Sequence, residues 1–426
     1  MHFDFSLDFA RKMDANDSIR DFRSDFVFPQ HEGESVVYLT GNSLGLMPKA
    51  VKTYLDEEME DWGTHGVEGH FRARRPWVSY HEFFAESLAR LVGAKPTEVV
   101  AMNGLTPNLH LLLVSFYRPE GRRVKILCEQ KAFPSDQYAL ASQLRFHGIA
   151  PKDGLIELAP RKGEHQLRLE DIFSTIDQHA EEIALVMIGG VNYYTGQRMD
   201  MPAITAHAKK HGIMVGFDLA HAAGNIELEL HDWGVDFASW CSYKYLNSGP
   251  GSVSGVYIHE RHHGHADIPR FEGWWGHDKT RRFLMEPQFV PMPTAEAWQL
   301  SNAPVFAMAP HRAALDVFDK VSLPQLFKKR DELTAYLEFV IDTIGAKHGA
   351  AFEIITPRER ENRGAQLSVF LHGYNKTLFN ILMEKGVIAD WRKPNVIRMA
   401  PAPLYVSFED VYRFGCKLDE ALEELK

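Results

Sequence analysis

The chain has little cysteine: Cys128, Cys241 and Cys416 are the only three in 426 residues, too few and too widely spaced for a disulfide framework or a zinc knuckle. It has no run of lysine and arginine long enough to form a nucleic-acid stripe. With 47 basic against 57 acidic residues the net charge is −10, so nucleic acid is not an expected partner. No apolar stretch approaches the length needed to cross a bilayer. The first residues, Met1-His-Phe-Asp-Phe-Ser-Leu-Asp8, carry acids where a secretory signal has a positive start and an apolar block. These absences predict a soluble protein of the reducing cytoplasm, away from membranes. No internal repeat or low-complexity tract is present. His259, His262, His263 and His265 lack an acid or cysteine at ligand spacing, and His81-Glu82 lacks the second histidine of a zinc-protease helix, so no metal site is expected.

What is present is enough apolar material, 45% with 12% aromatic, for a large core and two domains. From about 78 to 260, short apolar runs alternate with helix-like segments, which predicts an α/β domain with a mainly parallel sheet covered by helices. Val124–Cys128, Ile183–Ile188, Ile213–Phe217 and Gly255–Ile258 read as strands, as does the apolar run Asp236–Cys241. Pro134–Phe146 and Pro202–His211 read as helices, the second ended by Gly212. Loops rich in Gly, Pro, His and Trp occupy about 261–310. A smaller C-terminal α+β domain follows, with a helix over Leu323–Ile344, strands at Ala351–Ile355 and Gln366–Leu371, and a closing helix Phe408–Leu425. The expected division is 1–60 as a segment packing on the small domain, 61–310 as the large domain and 311–426 as the small one.

The most informative stretch is Ser242-Tyr-Lys-Tyr-Leu-Asn-Ser-Gly-Pro-Gly251, which sets Lys244 where a core strand meets a glycine-rich loop. A lysine there ordinarily covers apolar surface with its stem and reaches water with its ammonium. Partial desolvation favours instead a neutral, nucleophilic amine able to form a Schiff base. Asp218, in Phe217-Asp-Leu-Ala-His221, ends another apolar run. Pyridoxal phosphate needs a carboxylate at its ring nitrogen and a lysine at its aldehyde, and adjacent strand ends would supply both. Asn103-Gly-Leu-Thr-Pro-Asn108 opens a helix over Leu109–Tyr117, with Thr106 as expected N-cap and Pro107 in the first turn, a suitable place for phosphate. Phe133-Pro-Ser-Asp136 reads as a plain helix cap or as a ring-stacking aromatic, and Gly190–Gly196 as a polar turn or part of a ligand site at the sheet edge.

With these pieces in order, nearly the whole chain resembles the kynureninases, pyridoxal-phosphate hydrolases of the aspartate-aminotransferase fold. The resemblance runs through Gly41–Leu46, Gly69-His70, Arg75-Pro-Trp77, Leu105-Thr106, Phe133–Asp136, Tyr193–Gln197, Asp218–His221, Tyr243-Lys244, Gly273-Trp-Trp-Gly-His277, Ser301-Asn302 and Arg398–Tyr405. It implies a seven-stranded sheet of fold type I. It makes Lys244 the Schiff-base lysine and α-proton base and pairs Asp218 with the ring nitrogen. Leu105, Thr106, Ser135, Asp136, His221, Tyr243, Trp274 and Asn302 become cofactor contacts, with Phe133 stacked on the ring. Arg398 becomes the α-carboxylate clamp, His70, His277 and Asn302 surround the aryl ketone, and Tyr243 serves the acid–base step on the hydrate. The implied reaction converts L-kynurenine, or its 3-hydroxy form, to anthranilate or 3-hydroxyanthranilate and L-alanine, in tryptophan breakdown and NAD synthesis. A homodimer is implied, with Ser43 and Asn302 reaching across. Gly189-Gly190 departs from the pattern, leaving only backbone amides where relatives offer a hydroxyl to phosphate. The rivals are a cysteine desulfurase or selenocysteine lyase, for which only Cys416 follows Lys244, an aminotransferase of the same fold, and a binding protein on an inactive scaffold.

Overall fold

The computed structural model describes residues 2–426. The apolar runs become strands buried on both faces, as runs without polar alternation must in a sheet covered on both sides. In chain order they are β1 (Val99–Met102), β2 (Lys125–Glu129), β3 (Leu155–Leu158), β4 (Ile183–Gly189), β5 (Met214–Asp218), β6 (Phe237–Cys241) and β7 (Ser254–Ile258). They form one seven-stranded sheet in the order β1-β7-β6-β5-β4-β2-β3. All pairs are parallel except those made by β7, which runs antiparallel to both β6 and β1. The strand order turns back on itself between β2 and β4, and in such sheets ligands collect at the carboxyl ends beside the turning point.

Two glycines let the sheet close tightly. A Cβ on Gly216 would sit 2.2 Å from the Phe237 ring, and one on Gly255 would sit 2.1 Å from the Trp240 ring. Trp240 is fully buried, and removing such a ring typically costs about 3–5 kcal/mol. That packing fixes β6, and hence the point where the chain leaves it toward Lys244.

Strand bounds expected from sequence are met to within a residue, but one helix start differs. The helix opening the glycine-rich turn spans Leu105–Phe116, four residues earlier than expected, with Gly104 at its N-cap. Thr106 therefore lies in the first turn rather than capping it. Asn103, at φ +44°, takes the left-handed conformation that turns β1 into this helix, and its side chain donates to Asn108 Oδ1 at 2.9 Å.

A four-stranded antiparallel sheet follows: β8 (Ala351–Ile354), β9 (Leu367–His372), β10 (Asp390–Arg392) and β11 (Val396–Met399), in the order β8-β9-β11-β10. The long helix Leu323–His348 packs against the last helix, Phe408–Glu424. The N-terminal segment joins this layer: Val37–Tyr38 pairs in parallel with Val387–Ile388, and helix Leu7–Ala15 packs on the last helix. Among the described residues no helix is long and apolar enough to cross a membrane.

Candidate active site

The carboxyl ends of β2, β4 and β5 and the loop after β6 meet at a cavity of about 280 Å³. Leu105, Thr106, Phe133, Ser135, Asp136, Asp218, His221, Tyr243 and Lys244 all line it, together with Glu129, Asn192 and Tyr193. Nine residues expected from widely separated motifs thus open into one space. Asp218 is the last residue of β5 and lies opposite Gly189 of β4 and Ser239 of β6, and its Oδ1 accepts the Ala220 N–H at 2.6 Å. Lys244 follows β6 by three residues. Its Nζ lies 3.1 Å from His221 Nε2 and 5.8 Å from the centre of the Phe133 ring.

The charges are unusual for so enclosed a place. Glu129, Asp136 and Asp218 are all buried. Burial, then the charge and hydrogen bond of Asp218, hold the Asp136 carboxyl well above the usual carboxylate range. Burial raises Glu129 too, against the opposing hydrogen bonds from Asn192 Nδ2 and the Gly189 N–H, each 2.8 Å. Burial and the neighbouring Lys244 push His221 well below its ordinary value. The neutral ring accepts from Lys244 at Nε2 and leaves its buried Nδ1 without a partner. Burial also pushes the Tyr243 phenol upward, with Cys241 and Asp218 adding to it, so Tyr243 keeps its proton more firmly than a free phenol does.

Arg398 on β11 stands beside this cavity without lining it. It is 1% exposed; Nη1 donates to the Tyr193 carbonyl and Nη2 to Asp390 Oδ2, both at 2.5 Å, while its buried Nε has no partner. Burial lowers its pKa and Asp390 opposes that. The Tyr193 carbonyl that it meets belongs to a turn organised by Asn192, whose Oδ1 accepts the N–H groups of Tyr194 and Thr195 at 3.0 and 2.9 Å.

In sequence, the chain is 59% identical over 415 residues to a kynureninase from Christiangramia forsetii, a match covering 97% of this chain and 98% of that protein. The chain belongs to the kynureninase family. A kynureninase from Flavobacterium psychrophilum is 56% identical over 424 residues, covering 100% of both chains. The family model described as the kynureninase C-terminal domain matches residues 326–418. Among solved structures, a cysteine desulfurase from Escherichia coli is similar with TM-score 0.76 at 17% identity, covering 95% of this chain and 98% of that one. An apo cysteine desulfurase from Thermococcus onnurineus is similar with TM-score 0.74 at 18% identity, covering 91% and 95%. At such identities the likeness is one of fold, and that fold is type I of the pyridoxal-phosphate enzymes.

The remaining positions that match kynureninases lie outside the cavity of this single chain. Trp274 and His277 line a separate hollow of about 360 Å³. Trp274 is 47% exposed and its Nε1 donates to the Arg282 carbonyl at 3.0 Å. His277 is buried, accepts the Val290 N–H at Nδ1, and leaves Nε2 unpartnered. Asn302 and Ser43 are exposed, and His70 bonds the Val67 carbonyl at 2.9 Å, edge-on to Trp77. The Gly189-Gly190 amides, expected to be open to phosphate, are already committed: Gly189 N–H to Glu129 and Gly190 N–H to the Asp218 carbonyl at 2.7 Å. A Cβ on Gly189 would meet Glu129 Oε2 at 3.1 Å. No cysteine lines the cavity, and Cys416 lies on the last helix. Sequence reasoning covered Asn192 only as part of the Gly190–Gly196 turn and missed Glu129, whose only signal was that it directly follows an apolar strand run.

Proposed function

We propose that this chain is a pyridoxal-phosphate-dependent hydrolase that splits the Cβ–Cγ bond of L-kynurenine or 3-hydroxy-L-kynurenine. The products are L-alanine and anthranilate or 3-hydroxyanthranilate, in tryptophan degradation and NAD biosynthesis. The observation that carries the reading is that Lys244 and Asp218 open into the same cavity, in a chain closely related to kynureninases. The cavity suits the cofactor chemically. Three buried acids face a space with one lysine, and a protonated ring nitrogen would supply the positive charge that they lack.

When bound, the cofactor supplies an electron sink conjugated to the substrate's amino group. The chain's own groups do the rest. Lys244 would hold the cofactor's aldehyde, and its Nζ would be the group that takes the α proton. Asp218 would keep the ring nitrogen protonated, Phe133 would stack on the ring, and the free first-turn amides at Leu105 and Thr106 would favour phosphate, with Ser135, Asp136 and His221 as the remaining cofactor contacts. Neutral His221 accepts from Lys244 and so orients it. Arg398, braced by Asp390, offers its free Nε to the α-carboxylate. Tyr243, which keeps its proton, would serve the acid–base step as a hydrogen-bond donor to the γ-carbonyl oxygen while water adds.

Trp274, His277, Asn302, His70 and Ser43 are read as substrate or cofactor contacts supplied by a second copy, which makes the working form a homodimer. The chain divides into a segment 1–60 packed on the small domain, a large domain 61–310 and a small domain 311–426, a reading supported by the pairing of Val37–Tyr38 with Val387–Ile388. Three unpaired cysteines suit a reducing cytoplasm.

The test is a side-by-side assay with kynurenine and 3-hydroxykynurenine, following the aromatic amine and alanine. Equal amounts of both products are expected. A 2-oxo acid in place of alanine would establish an aminotransferase, sulfur release from cysteine a desulfurase, and bound cofactor without turnover an inactive scaffold.

A further inference from the structure

Four places outside the cavity gather three histidine or carboxylate groups with ligand atoms within 4.8 Å of one another. Three of them have protein partners that occupy the carboxylates. Buried Glu98 accepts N–H groups from Lys95 and Glu260 as well as His231. Glu82, beside His81, is paired with Lys279, and Asp419, beside His348, is paired with Lys347.

The fourth differs. Among the described residues no lysine or arginine pairs with Asp177; its Oδ1 is met by Nε2 of His207 and Nε2 of His211, each at 2.8 Å. The two histidines are four residues apart at the end of helix Met201–Lys210, so one turn sets both rings on the same face. Asp177 comes from the neighbouring helix Leu169–Gln178. The same helix supplies Phe173, which stacks on His207 at 4.2 Å and 8° and holds that ring toward the carboxylate. Two imidazole nitrogens and one carboxylate oxygen, converging without a competing cation, form the ligand set of a three-coordinate protein face.

We propose that Asp177, His207 and His211 bind a divalent transition-metal cation, with water completing its coordination. Imidazole with a single carboxylate suits zinc, nickel and copper, and does not suit magnesium or calcium, which take all-oxygen sets. The ion would clasp the two helices together on the outside of the large sheet. None of the three residues lines the cofactor cavity, so the site is independent of the chemistry proposed above.

The test uses holoenzyme stripped of metal by a chelator, dialysed, and titrated with Zn2+ alone in competition with a chromophoric chelator. One ion per chain is expected. His207→Gln and His211→Gln should each weaken binding at least about tenfold, since loss even of a supporting group around a metal costs about 10–100-fold. Zn2+ should raise the melting temperature of the parent and leave that of the double variant unmoved. No zinc uptake by the parent, unchanged affinity and stoichiometry in the folded double variant, or loss of the ion in His259→Gln instead, would each overturn the proposal.

Discussion

The cavity at the strand ends and the outer loop from 261 to 302 carry the two halves of the expected site, and they are built differently. Lys244, Asp218, Asp136 and His221 end or closely follow strands of the seven-stranded sheet and line one cavity. Trp274 and Asn302 lie on a surface, the first 47% exposed and the second likewise open to solvent.

 The same side of the molecule exposes Phe71 and Phe283, whose rings lie 6.4 Å apart, and Leu284. A sheet edge supplies its own walls, whereas loop side chains need something to close over them. The difference is what a site shared between two copies would leave in one chain.

Breaking the strand-end half should have the largest effect. Lys244→Ala is expected to lose the visible absorbance of the lysine-linked cofactor and at least about 10³-fold in kcat; full activity in that variant would end the assignment.

Next comes the division between the halves. Asn302→Ala and Lys244→Ala are each expected to be nearly inactive alone, and mixing the two under conditions that exchange subunits should restore activity in hybrid dimers. No recovery, or an active monomer in sedimentation, would show that the loop serves its own chain.

Arg398→Lys should lower kcat/KM for kynurenine by about 10- to 100-fold, because a hydrogen bond to a charged group contributes about 1.5–3 kcal/mol. An unchanged value would remove the clamp from the reading.

The smallest effect concerns the anchor of the loop after Lys244, where Ser248 Oγ meets buried His311 Nδ1 at 2.6 Å. Burial pushes His311 down from 6.5 to about 3. Between those values the unfolded chain binds the proton and the folded one does not, so this contribution is complete above pH 6.5 and is lost as pH falls toward 3. The loss should be about 1.4 kcal/mol per pH unit. Denaturant unfolding at pH 7 and pH 5 should show a shallower decline in His311→Gln than in the parent; equal slopes would contradict this.

Much of this was legible in the residues. The strand runs, the lysine after Cys241 and the aspartate after Phe217 are local features, and the structure places them as expected. Glu129 was not legible, because a carboxylate after an apolar run reads as a strand end in water; pairing of β2 with β4 instead buries it against Gly189 and Asn192. Nor were the commitments of the Gly189 and Gly190 amides, which depend on Glu129 and Asp218 lying alongside.

From the sequence alone came the family resemblance, the alternation of strands and helices, and the residue types able to hold a covalent cofactor, since periodicity and motif are properties of short stretches. Tertiary structure alone decided that three acids face one cavity, that Asp390 braces Arg398 and that the Tyr243 proton is firmly held. Those follow from desolvation and close approach between segments far apart in the chain, which no short stretch encodes.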